Sequence, residues 1–471
     1  MSLIAKTVRY LRQNGLSATA KKIVRRASGR DWLPQDEDAL YEPVQFVAPE
    51  DEQRRPPEKP AVCSGLVSVV IPCYNGADEL PALLEKLQQQ TGIPSPELIV
   101  VDSGSVDGTA ELAERYGAKV VRISQEMFAH DYARRLGAKH ASGEYLLFMT
   151  QDALPDRTDW IHRLLQPILL DGAAAVSCIE QPRPDADLIS RVNAWNWRRA
   201  MLGGTDRLVS QPADNGFESL RRCAMLSDNA CLVRADAYWR LGGHQGHYAE
   251  DLDLGIRLLE SGERLGLLGS VTVVHSHNRS PLYYFKRALV DALRLKDLFA
   301  DYPLDTLTLR DAVSRIAVAA CAGKWFAESL AEEPPCASPE ALREWLRLRW
   351  NQYLIRLRTM DGAEIASLLR DAWPESAGDS ESFVTMLWDL GSADYHFDPS
   401  LTVSTARYLM HTVCDYLSAS NMPVDTALSA ALAKLLWQYF AQSAGYAVAA
   451  CFHAESDARL QTIRDAFCSG V

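Results

Sequence analysis

Four clusters carry residues whose types and spacing could do chemistry. In FMTQDALP (148–155) a single carboxylate, Asp152, closes the apolar, β-prone run EYLLF (144–148). An acid there reads either as turn chemistry or as an oxygen ligand for a hard divalent cation of the kind that accompanies a nucleotide diphosphate. In VVDSGSVDGT (100–109) Asp102 leaves a β-branched run, where it could accept a hydrogen bond from a base ring N–H. Ser103, Gly104 and Ser105 would let a ligand approach the backbone closely. Asp107 is assigned to the structural alternative, the cap of the following helix. In YAEDLDLGIRLLESG (248–262) Glu250, Asp251 and Asp253 precede a helical pattern. A helix dipole stabilises acids at that end, and a general base for a hydroxyl proton would occupy the same place. In VTVVHSHNRS (271–280) His275 and His277 are two apart and face one side of a strand. His275 could supply the metal ligand that Asp152 alone lacks, and Arg279 could meet a phosphate. Packing of each imidazole at a core edge is the alternative.

The elements that must position these clusters follow from periodicity. VSVVIP (67–72), ELIVVD (97–102), AKVVRI (118–123), EYLLFM (144–149) and AAAVSCI (173–179) are apolar strand runs. Helical patterns at 79–90, 107–117, 130–141 and 158–170 alternate with them. Continuous apolar strands alternating with helices predict a parallel sheet covered on both faces, whose ligands bind beyond the carboxyl ends of the strands. Asp102 and Asp152 stand at such ends. Residues 180–245 are less regular. Beyond about 282, helical periodicity dominates, as in ALREWLRLRWNQYLIRLRTM (341–360). The boundaries expected are basic N-terminal helices at 1–33, a linker at 34–65 rich in proline and charge, an α/β domain at 66–282 and a helical domain at 283–471.

Composition narrows the function classes. The 471 residues suffice for roughly two or three domains. A net charge of −12 argues against a general nucleic-acid binder. Eight Lys or Arg and no acid between Lys6 and Arg30 nevertheless form a basic N-terminal segment, suited to peripheral contact with an anionic membrane. Ten cysteines without a CxxC pair fit reduced, buried thiols. No signal peptide or membrane-spanning run is read, so a cytoplasmic location is expected. CYNGADEL after the first strand lacks GxGxxG, and GxxxxGK[ST] is absent, which excludes an obvious dinucleotide site or P-loop.

Taken in order, VSVVIPCYN (67–75), VVDSGSVDGT, ARRLGAKHASGEYLLFMTQDALP (133–155), EDLDLGIRLLESG and VVHSHNRS resemble the inverting family-2 glycosyltransferases of the GT-A fold. TQDA and HSHNRS look more specifically like bacterial rhamnosyltransferases that build cell-surface polysaccharide from dTDP-rhamnose. The resemblance spans about residues 66–282. It implies nucleotide-sugar contacts from Pro72, Tyr74, Asn75, Asp102, Ser103, Arg134, Gln151, Asp152 and Arg279. It also implies Mg²⁺ or Mn²⁺ on Asp152 and His275, Asp251 as catalytic base with Glu250 beside it, and a glycan or lipid-linked acceptor. Arg134 is expected near the donor phosphates, before a conformationally useful Gly137. The chain departs from the family pattern at Thr150, where the first Asp of DxD is expected, and at Arg135, where Asn is common. The same fold with a hexose or GalNAc donor, and a catalytically weak scaffold of a polysaccharide-synthesis complex, are the alternatives.

Overall fold

A computed structural model of the chain describes residues 52–468 except 56, 200–204, 211, 213, 247–248, 333–337, 424 and 454–456. The basic segment and most of the proline-rich linker lie outside the described residues. The described residues divide into a sheet unit, which runs to Asn278 and includes Leu293–Pro303, and a helical unit, Arg279–Ala292 with the residues from Leu304 onward.

The sheet unit begins with a short strand β1 (Glu52–Arg54). Regular alternation follows: β2 (Val67–Cys73), α1 (Leu80–Gln88), β3 (Glu97–Asp102), α2 (Thr109–Arg115), β4 (Lys119–Arg122), α3 (His130–Lys139) and β5 (Tyr145–Phe148). Then come β6 (Leu154–Pro155), α4 (Trp160–Asp171), β7 (Ala173–Gln181), α5 (Leu188–Trp197), β8 (Asp206–Val209), α6 (Phe217–Cys223), β9 (Cys231–Arg234), α7 (Ala235–Arg240), α8 (Glu250–Glu260) and β10 (Arg264–Val274). The sheet order is β1-β8-β10-β7-β9-β5-β2-β3-β4, with β6 on β10.

β4, β3, β2 and β5 are parallel neighbours. β9 then inserts antiparallel between β5 and β7, and β8 and β1 continue antiparallel beyond β10. The sheet is therefore mixed: the alternating β–α pattern at 67–148 gives one parallel half, β7 and β10 pair parallel in the other, and the irregular segment supplies the four-residue antiparallel strands β8 and β9. Buried Val69, Ile71 and Val100 pack with the α1 leucines on one face, and Val70, Ile99 and Phe148 pack on the other. That two-sided burial explains the unbroken apolar strands.

Gly137 is a packing residue. A Cβ there would come within 2.3 Å of Val70 Cγ1, so its lack of a side chain lets α3 lie directly on the sheet. Its role is close approach, where the sequence reading expected conformational freedom.

The helical unit is organised on α10 (Leu309–Glu332), which follows α9 (Pro281–Leu298) and packs against α11 (Pro339–Leu357), α12 (Gly362–Arg370), α13 (Ser380–Gly391), α14 (Ser400–Arg407) and, after α15 (Cys414–Ser420), α16 (Thr426–Ala449). Ser338, Asp361 and Asp425 cap three of these helices through side-chain oxygens, and Asp361 forms a capping box with Glu364. No described helix is long and apolar enough to cross a membrane. No two of the described cysteines are joined.

Candidate functional site

The carboxyl ends of β2, β3 and β5 meet in one corner of the sheet unit. Cys73 and Asp102 are register partners at the ends of β2 and β3. Asp102 is 3% exposed. Its Oδ2 accepts from the Gly104 and Ser105 N–H groups (3.3 and 3.2 Å), while Oδ1 is buried without a hydrogen-bond partner. A buried carboxylate oxygen held open by its own loop is a ready acceptor for one ligand N–H.

The loop after β2 is braced from both sides. Asn75 N–H donates to Ser105 Oγ (2.9 Å), and Val106 N–H donates back to Asn75 Oδ1 (3.0 Å). Asp107 accepts from the Ala77 and Thr109 N–H groups (3.0 and 3.1 Å). It thus joins the two loops as well as the start of α2, and the Thr109 hydroxyl bond above all holds its carboxyl below the usual range. Ser103 is spent structurally, its Oγ donating to the Cys73 carbonyl at 2.8 Å.

Gln151 ties the third strand end to the first. Tyr74 N–H donates to Gln151 Oε1 (2.9 Å), and Gln151 Nε2 donates to the Tyr74 carbonyl (3.4 Å). A Cβ on Gly76 would meet that amide at 2.7 Å, so the clamp requires glycine. Pro72 lies in β2 just below it and Tyr74 is exposed above it.

Asp152 faces two imidazoles. His275 Nε2 lies 3.7 Å from Oδ1 and His277 Nε2 3.5 Å from Oδ2. The three ligand atoms lie within 4.8 Å of one another. His275 Nδ1 donates to Glu180 Oε2 at 3.0 Å, which leaves Nε2 as the lone-pair nitrogen turned toward Asp152. Burial pulls the His275 pKa down, but the Glu180 bond and the charges of Glu180 and Asp152 outweigh it and the net shift is upward. One carboxylate and two imidazoles suit a divalent transition ion better than Mg²⁺.

The acids heading α8 belong to a buried ionic cluster. Arg134 is 5% exposed. Its Nη1 lies 2.6 Å from Glu250 Oε1 and its Nε 2.9 Å from Asp228 Oδ2. His244 Nε2 lies 3.1 Å from Asp228 Oδ1, and Tyr238 Oη lies 3.0 Å from His244 Nδ1. Nε2–H therefore donates to the carboxylate while Nδ1 accepts from the phenol. Two carboxylates share one guanidinium, and burial, with the charges of Asp228 and Asp251, pushes Glu250 up to about 8 despite Arg134. Burial, then the Asp228 charge, also raises Asp251, whose Oδ1 accepts from Leu252 N–H at 2.7 Å. Of the three described non-glycine residues in the left-handed region, Asn75 (φ 46) and Ala249 (φ 55) sit here, one in the β2 loop and one just before Glu250.

Thr150 links the two halves, its hydroxyl donating to Asn229 Oδ1 at 3.1 Å. Hydrogen bonds and chain neighbours thus link the Asp102 loop, the Tyr74–Gln151 clamp, Asp152, Thr150, the Asn229 and Asp228 pair, Arg134 and the head of α8. Arg134 was expected at donor phosphates, and the structure buries its guanidinium between Asp228 and Glu250. Arg279 opens the helical unit, with its guanidinium 5.0 Å from the Tyr283 ring centroid. Sequence reasoning left out Glu180, Asp228 and His244. Glu180 carried the same signal as Asp102, an acid at the end of an apolar strand.

The model of the family described as glycosyl transferase family 2 matches residues 68–230. The chain is 28% identical over 225 residues to the O-antigen chain rhamnosyltransferase WbaN of Salmonella anatum, covering 47% of this chain and 69% of that one. It is 30% identical over 226 residues to the O-antigen chain rhamnosyltransferase RfbN of Salmonella typhimurium, again covering 47% and 69%. The chain belongs to glycosyltransferase family 2. It is a nucleotide-sugar glycosyltransferase of GT-A architecture. A mannosyltransferase of Pyrobaculum calidifontis, solved with GDP-Man and Mn²⁺, superposes with a TM-score of 0.39 at 16% identity, covering 86% of this chain and 98% of that one. That superposition is too loose to bear on the site. The family model ends before α8, so the acids of this glycosyltransferase's α8 and its HSH pair rest on the geometry above.

Proposed function

We propose that this glycosyltransferase inverts the anomeric centre of L-rhamnose as it moves the sugar from dTDP-rhamnose to a hydroxyl of a growing cell-surface or lipid-linked glycan. The observation that carries the reading is one sheet unit that holds an open Asp102 oxygen, the Asp152–His275–His277 triad and a raised Asp251 at the head of α8. The two Salmonella relatives, both O-antigen chain rhamnosyltransferases, favour rhamnose and an O-antigen type of acceptor.

Asp102 Oδ1 accepts the ring N–H of the base, and the loop of Tyr74 and Asn75 bounds it. The triad would hold a divalent ion, and of Mg²⁺ and Mn²⁺ the two nitrogen donors favour Mn²⁺. When bound, that ion supplies charge neutralisation for the leaving diphosphate. Asp251 takes the proton of the acceptor hydroxyl. The acceptor oxygen then forms the new bond to the anomeric carbon as the bond to the diphosphate oxygen breaks, and dTDP leaves with the electron pair. A carboxylate whose pKa is raised is a stronger base than a free one. Arg134, Asp228 and His244 act through Glu250 and Asp251 as positioning residues, and Arg279 remains proposed for the donor phosphates.

The basic residues 1–30 are proposed to bring the enzyme to an anionic membrane surface where lipid-linked acceptors lie. The test of function is a donor screen by mass spectrometry, pairing dTDP-rhamnose, UDP-hexoses and UDP-GalNAc with free and lipid-linked oligosaccharides. Transfer from dTDP-rhamnose is expected. Transfer from another donor alone overturns the rhamnosyl reading, and no transfer or donor hydrolysis with any donor favours the scaffold.

A further inference from the structure

An exposed tryptophan ends a helix that touches the triad's backbone, and its ring carries a residue of a helix packed on α8. Trp197 is 37% exposed at the end of α5. Its ring carries the guanidinium of Arg221 5.4 Å from its centroid. Arg221 lies on α6, a helix separate in sequence from α5, so the pair is a built contact between two elements.

The first end is the triad. At the start of α5, Asp187 N–H donates to Asn278 Oδ1 (2.7 Å), and the Ser190 hydroxyl donates to the His277 carbonyl (3.4 Å). Ser190 and Trp197 are seven residues apart, two helical turns, so they share a face about 10 Å apart along the axis. Trp197 therefore rises from the metal triad on the side that touches it.

The second end is the head of α8. Gly255 of α8 presses on the end of α6, since a Cβ there would come within 2.3 Å of the Ala224 carbonyl. Asp251 and Gly255 are one turn apart and share that face. Arg221 is three residues before Ala224, and its charge is among those that act on Asp251.

We propose that Trp197 and Arg221 form the floor of an acceptor subsite, on which a pyranose ring of the glycan acceptor stacks. The assignment rests on the transferase reading above and names its acceptor side. The chemistry is that of aromatic sugar recognition: the axial C–H face of a pyranose carries partial positive charge and seats on the negative face of an indole. Arg221 lies over the ring and fixes its orientation, and the sugar would seat on the ring's exposed part. An acceptor hydroxyl must lie between the anomeric carbon, held near the triad, and the base, Asp251. A platform tied to both elements lies along that line.

The test uses the full chain. Binding of octyl α-L-rhamnopyranoside and octyl β-D-galactopyranoside in the presence of dTDP and Mn²⁺ is followed by saturation-transfer NMR for wild type, Trp197→Ala, Trp197→Phe and Arg221→Met. Acceptor KM and donor KM are measured on the same proteins with the best acceptor of the donor screen. Trp197→Ala is expected to weaken pyranoside binding and raise acceptor KM about tenfold, an aromatic contact of ordinary size. Donor KM should move far less, and Trp197→Phe should recover most of the loss. Equal pyranoside binding by wild type and Trp197→Ala, with thermal unfolding unchanged, overturns the subsite. If the wild type binds pyranosides through Trp197 yet transfers no sugar from any donor, the subsite stands and the transferase reading fails.

Discussion

His275 Nδ1 donates to Glu180 Oε2 at 3.0 Å, and that one bond turns Nε2 of the same ring toward Asp152. The bond fixes the tautomer, so the triad presents lone pairs and not N–H groups to an ion. Glu180→Gln keeps the shape and removes the charge. It is expected to weaken Mn²⁺ binding about 10–100-fold in the presence of dTDP, read by calorimetry. His277→Ala should weaken it at least as much. An unchanged affinity in both would remove the triad as a metal site.

Asp251→Asn keeps the side-chain shape and cannot accept a proton. A fall in kcat of about 10²–10⁴ is expected, with the dTDP-sugar dissociation constant little changed in the same titration. Glu250→Gln should lower kcat less and stability more, because Glu250 is the buried partner of Arg134 at 2.6 Å. Near-normal turnover by Asp251→Asn would move the base elsewhere.

Legibility in the sequence followed local signal. Strands and helices from Val67 to Gln181 were readable because a sheet buried on both faces demands long apolar runs with a helix between each. β8 and β9 were not, because DRLV and CLVR are four residues long, shorter than the windows over which periodicity can speak. Asp102, Asp152 and His275 stood out as acids or an imidazole at the ends of such runs, and Asp251 as an acid ahead of a helical pattern. Asp228 and His244 did not: their meaning comes from Arg134, which meets Asp228 across 94 residues of chain (228 − 134). Donor choice depends on few contacts and leaves no periodic trace.

The helical unit offers a stability test. Lys324, buried in α10, donates from Nζ to the Leu368 and Asp371 carbonyls at 2.6 and 2.9 Å, at the end of α12, and lies 4.9 Å from the Trp373 ring centroid. A cation there satisfies helix-terminal carbonyls and complements the dipole. Lys324→Met fills similar volume and leaves both carbonyls without that donor. A loss of about 1–3 kcal/mol in denaturant unfolding is expected. No measurable loss would mean that water replaces the ammonium fully.

The last prediction concerns pH. Asp251 is raised by burial first and then by the charge of Asp228, while Leu252 N–H, Arg134 and Arg221 pull it down. Asp228 itself stays ionised, lowered to about 2, because Arg134 and then His244 outweigh its burial. Asp228 is therefore a fixed negative charge across the working range. A base is active when deprotonated, so the acid limb of kcat against pH reports its ionisation. In the wild type that limb should lie above the ordinary aspartate range of about 4. Asp228→Asn removes the repelling charge and leaves Arg134 less neutralised. Both changes favour the ionised form of Asp251, so the limb should shift to lower pH by about one unit. The profile is taken at saturating Mn²⁺ and donor, because protonation of His275 or His277 would add a second acid limb through metal loss. A limb that stays put or moves upward, in a variant whose thermal unfolding matches the wild type, would show that Asp228 does not set the ionisation of the base.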